Sequence, residues 1–104
     1  MNRLVLSATL VEKAALRYTP AGLPALDLSL KHESEVSEDG QPRKVRMEMR
    51  AVAIGAVTRG LQAQALGSSG TFAGFITSAR NQRGLLFHIT SVEFDPDRSS
   101  SEIQ

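Results

Sequence analysis

The chain has 104 residues, 41% hydrophobic and 22% charged, which suits one small domain with a packed core. Cysteine is absent, which excludes a disulfide scaffold, a thiolate nucleophile and any Cys-ligated metal. The net charge of +1 hides a segregation along the chain: residues 1–39 carry four cations against six acids, residues 40–91 seven cations against Glu48 alone, and residues 92–104 one cation against four acids.

Residues 2–11 are rich in Leu and Val and predict a strand. Residues 19–24 (TPAGLP) predict a type II turn, with Pro20 and Gly22 at its middle positions. Residues 25–32 alternate: Leu26, Leu28 and Leu30 share one face, and Asp27, Ser29 and Lys31 share the other. Residues 33–42 are acidic, end near Asp39-Gly40 and predict a loop. Alternation then resumes, with Val45, Met47, Met49 and Ala51 as a core-facing row opposite Lys44, Arg46, Glu48 and Arg50.

Residues 55–67 shift to helical spacing, with Gly67 as the expected C-cap. Strands follow at 71–78 and 85–94, joined by a hairpin connection at 80–84. Residues 1–95 are expected to form the domain and 96–104 a flexible tail. The element order β-β-β-α-β-β is that of the all-β OB-fold, a five-stranded Greek-key barrel with one short helix between strands 3 and 4. An SH3-like barrel is the alternative, though it usually lacks such a helix.

Catalytic chemistry is not legible. Neither the phosphate-binding pattern GxxxxGK[ST] nor GxGxxG occurs. His32 and His88 each stand alone in a strand, and Glu93, Asp95 and Asp97 read as a solvated strand-ending cluster. No nucleophile–base pair carries a motif of its own, so neither an enzyme nor a cofactor is expected. No apolar run approaches the roughly 18 residues of a membrane span, and residues 1–10 lack a signal-peptide pattern, so a cytoplasmic protein is expected.

What remains is a basic groove. In an OB-fold the ligand face lies on strands 2 and 3 between two loops. Arg17 falls in the first loop, Arg43, Lys44 and Arg46 in the third strand, and Arg80 and Arg83 in the last hairpin. Cations that track phosphates, with aromatic rings that stack on bases, are the parts of a single-strand site. Tyr18 is the stacking candidate, while Phe72, Phe75, Phe87 and Phe94 are read as core. With so few rings, modest and salt-sensitive affinity is expected.

The stretches NRLVLS at 2–7, LRYTPAGLP at 16–24 and LSLKHE at 28–33, with Gly74-Phe75-Ile76 and Gly84-Leu85, resemble the primosomal replication protein N family. That family is itself similar to the single-stranded DNA-binding proteins. The resemblance runs to about Phe94. It implies a homodimeric OB-fold without enzymatic activity, which binds single-stranded DNA and the PriA helicase in replication restart and in some bacteria hands on to DnaT. By position it carries Arg17, Arg43 and Arg80 onto the family's DNA-contacting surface. Arg46 stands where one well-known member has a tryptophan, Gln41 where it has a phenylalanine, and Gln82 and Phe87 where it has lysines. These departures lead to a second reading, a protein-interaction module that docks a helicase and binds DNA weakly.

Overall fold

The structure is a computed structural model that describes residues 1–81 and 83–96. Apart from Pro96, the tail expected at 96–104 lies outside the described residues, as does Gln82. The elements are β1 (Leu4–Lys13), β2 (Arg17–Tyr18), β3 (Pro24–Glu38), β4 (Gln41–Ile54), α1 (Thr58–Ala63), β5 (Ser69–Ser78) and β6 (Leu85–Phe94). The two-residue β2 is an edge pairing on β3. The other five strands close a ring, β1-β3-β4-β6-β5 and back to β1, in which only the β4–β6 pairing is parallel. This closed barrel is the expected OB-fold.

Alternation sets the core. Leu26, Leu28 and Leu30 of β3 are buried inside the barrel with Leu6, Leu10, Ala51, Ala53, Phe72, Phe87 and Ile89. Leu61 of α1 is fully buried and plugs the core from the helix. The helix is far shorter than the 55–67 span expected from spacing. Thr58 is its first residue, and the Thr58 hydroxyl donates to the carbonyl of Gly55 at 2.7 Å. Gln64 is already extended and ends it, so Gly67 is not its cap, although Gly67 does take a positive φ of 93°. Lys13 of β1 donates to the carbonyls of Gln62 and Gln64, at 2.8 and 2.7 Å. A cation from another strand thus satisfies carbonyls that a short helix leaves free.

Two further expectations change. The Thr19–Gly22 turn is closed by the Gly22 amide donating to the Thr19 carbonyl at 2.8 Å, which puts Ala21, not Gly22, at the second middle position. Gly22 instead closes the turn, with a positive φ of 84°. The predicted loop at 33–42 is not a loop. β3 runs to Glu38, β4 starts at Gln41, and only Asp39 and Gly40 turn, with φ of 51° and 76°. Positive φ at both central residues is the geometry of the tight I′ hairpin. The β3–β4 hairpin therefore extends beyond the barrel as an arm. Along it the row expected to face the core loses its cover: Ala51 is buried and Met49 packs on the core, whereas Val45 is half-buried and Met47 exposed.

Candidate nucleic-acid interface

Residues directly opposite one another on paired strands share a face. Asp27 of β3 pairs with Val52 of β4, Val52 with His88 of β6, and His88 with Phe75 of β5. One row thus crosses the outer barrel wall. A second row runs Ser29–Arg50 between β3 and β4 and Leu86–Thr77 between β6 and β5. Farther out, Lys31 faces Glu48, Glu33 faces Arg46 and Glu35 faces Lys44. The parallel β4–β6 register brings the β5–β6 hairpin out at the same end of the barrel as the β3–β4 arm.

Phe75 carries the aromatic content of this wall. Its ring stacks on His88, with centroids 4.7 Å apart and planes 12° apart, and it is 39% exposed. It was read from sequence as core, and the structure corrects that. Phe72 and Phe87 are fully buried, and Phe94 packs edge-on against Phe72 with centroids 5.7 Å apart. The signal for Phe75 lay in strand parity: it alternates with Ile76, which packs against the core.

The six cations and Tyr18 singled out above do not form one cluster. Lys44 and Arg46 lie on the outer face of the arm. Arg43 lies on its opposite face, level with Val36, and donates from Nε to Glu38 at 3.1 Å. Arg17 lies on the outer face but is engaged: Nε and Nη2 donate to the two carboxylate oxygens of Asp27, at 2.8 and 3.1 Å. Tyr18, next along β2, points to the other side of that edge and is largely exposed. Arg80 and Arg83 are exposed in the hairpin, and neither is in an ion pair among the described residues. Sequence reasoning passed over Arg50, which faces Ser29 rather than an acid and lies in the row next to Phe75 and His88.

The charge segregation along the chain is thereby partly undone. The acids of residues 33–38 fold back onto the cations of residues 43–46, so acids and cations face one another across the arm.

Hydrogen bonding from Arg17 holds the Asp27 carboxyl below its ordinary range against the opposing effect of burial, helped by the positive charges of Arg17 and Arg50. A carboxylate depressed on folding stabilises the fold fully above its unfolded value of about 3.9, and that contribution is lost as pH falls through the folded value. Asp27→Asn is thus expected to lower the melting temperature at pH 7, and the gap from the parent to close near pH 2. Both partners are substantially exposed, so the loss at pH 7 is about 1 kcal/mol at most. Equal melting temperatures at pH 7 would show that the pair contributes nothing.

A family model described as another single-strand binding protein family matches residues 2–91. With the closed barrel, this defines an OB-fold member of the single-strand binding class. Replication restart protein PriB of Bordetella pertussis is 50% identical over 80 residues, 77% of this chain and 75% of that protein. The PriB of Neisseria gonorrhoeae is 42% identical over 86 residues, 82% and 84% of the two chains. The solved structure of PriB from Ralstonia solanacearum superposes with a TM-score of 0.83 at 35% identity, over 92% of this chain and 99% of that one. The chain belongs to the PriB family.

Proposed function

We propose that this chain is a replication-restart adaptor that binds single-stranded DNA along the outer wall of β3, β4, β6 and β5. The observation that carries the reading is the exposed Phe75–His88 stack, with Arg50 in the adjoining row. A flat ring on an open wall offers a base a stacking surface, and neighbouring cations hold its phosphates. Of the cations chosen from sequence, Lys44, Arg46, Arg80 and Arg83 lie at the arm-and-hairpin end and extend this track, and Arg17 borders it. Arg43, on the opposite face of the arm, and Tyr18, on the other side of the β2 edge, lie off this track. The role is binding, not catalysis.

Stacking is worth about 1–3 kcal/mol per base. Phe75→Ala should therefore weaken binding to a fluorescent 30-nucleotide oligo-dT by roughly 5- to 150-fold, with little change in melting temperature. Unchanged binding would remove Phe75 from the site.

The family supports two partners besides DNA: the PriA helicase and a second copy of the chain. Among the described residues, residues 4–8 of β1 pair as a strand only with β5 and Val5 is exposed, so this edge, on which the His32 ring holds the Ser7 carbonyl, suits a strand from a second copy. Sedimentation equilibrium would read the homodimer as twice 11.2 kDa. The family resemblance, which in some bacteria includes hand-over to DnaT, extends the proposal to that partner. The neutralised outer face of the arm favours a second reading, a helicase-docking module with weak DNA contact. Loss of helicase stimulation with DNA binding intact, in an Arg43→Ala/Arg46→Ala variant, would select it.

A further inference from the structure

We propose that the outward carboxylates of β3, Asp27, Glu33 and Glu35, act as an internal stand-in for phosphate that occupies the cations of the DNA face and caps its affinity. The inference rests on the single-strand reading above and deepens it.

The opposition of charge is systematic, and on this face Arg17–Asp27 and Lys31–Glu33 are the pairs within ion-pair distance among the described residues. Arg17 gives Asp27 a two-pronged bond, the geometry with which a guanidinium also grips phosphate. Glu33 is directly opposite Arg46, and Glu35 directly opposite Lys44. Lys31 faces Glu48 and also approaches Glu33 at 3.5 Å. Opposed side chains start only about 4.5–5.5 Å apart at Cβ, well within the reach of Lys, Arg and Glu. Of the five cations on this face of β2, β3 and β4, only Arg50 has no carboxylate across from it or bonded to it among the described residues.

A phosphate arriving at Arg17 must therefore replace a bonded carboxylate, and one arriving at Lys44 or Arg46 must compete with a tethered carboxylate directly across the strand. Binding becomes an exchange of one negative group for another. Less of the DNA charge is neutralised per contact, and the dependence on salt is shallower than the number of cations suggests. The arm itself gains from the arrangement, because cross-strand pairs of opposite charge stabilise a hairpin that has few apolar contacts. The same acids hold the arm together and weaken its grip on DNA.

The test compares the full-length parent, Glu33→Gln/Glu35→Gln and a control, Glu93→Gln/Asp95→Asn. The control removes the same charge at the opposite end of β6 from the hairpin. Each binds fluorescent oligo-dT of about 30 nucleotides across a salt series, with a duplex of equal length alongside. The proposal expects Glu33→Gln/Glu35→Gln to bind roughly fivefold tighter or more at low salt. Its salt slope should steepen by about 1.4, or 0.7 for each freed cation. The control should match the parent. Should the double variant lose its folded melt, Asp27→Asn frees Arg17 on the barrel wall and should steepen the slope by about 0.7. Equal tightening in variant and control would reduce the effect to net charge and overturn the proposal. Unchanged or weaker binding by the variant, with the parent binding, would overturn the proposal and leave the single-strand reading standing. No binding by any of them at low salt would overturn both.

Discussion

Phe87→Ala is expected to destabilise the fold by about 3–5 kcal/mol. Phe87 is fully buried on β6, next to Ala51 of β4 and Ile76 of β5. Removing the ring deletes its transfer free energy and leaves a cavity that a closed barrel cannot easily collapse. A small domain holds only about 5–15 kcal/mol of stability in total, so the variant should melt far below the parent in a urea titration. The contrast with Phe75→Ala is the informative part. Both rings occur in strands, and one residue type yields a folding phenotype at position 87 and a binding phenotype at position 75. A small loss at position 87 would mean that the inward face of β6 is misassigned.

Gly74→Ala carries a comparable cost for a different reason. A Cβ at this position would overlap the carbonyl oxygen of His88, and it would lie 2.8 Å from the His88 carbonyl carbon and 3.1 Å from the Ile89 Cα. All three belong to backbone, so no side chain can swing away. The strands approach this closely beside the irregular register between Ala73 and Gly74. Either β5 or β6 must shift, which would also disturb the Phe75–His88 stack. We expect a loss of about 3 kcal/mol or more, measured as a drop in the urea midpoint. Near-parental stability of Gly74→Ala would show that the two strands are farther apart than described. Gly60→Ala is the natural comparison, since a Cβ there meets nothing within 4 Å.

The barrel was legible because its strands alternate. Leu26, Leu28 and Leu30 point inward as their period requires, and the helix between the third and fourth strands favoured the OB-fold over an SH3-like barrel. The arm was not legible because its signal is electrostatic. Residues 33–38 have one apolar side chain, Val36, and a strand held by opposed charges looks like a loop to any reading based on hydrophobic period. The Asp39-Gly40 turn was visible, but its hairpin meaning depends on what flanks it. Missing the arm also hid the cancellation of charge: in sequence Arg46 stands among cations, whereas in the fold it stands opposite Glu33. The family resemblance put Arg17 among the DNA-contacting residues but could not show that Asp27 already holds it. Phe75 escaped because an aromatic ring in a strand is ordinarily core, and only its parity relative to Ile76 says otherwise.

The central claim is that a single strand lies across the outer wall, over Phe75 and His88. Titrating isotope-labelled protein with oligo-dT and following backbone amide shifts tests it most directly. The largest changes are expected on Phe75, His88, Val52 and Arg50, extending toward Lys44, Arg46, Arg80 and Arg83. The exposed edge of β1 around Val5 should stay silent. Changes centred on β1 or α1, with the Phe75–His88 row unmoved, would contradict it.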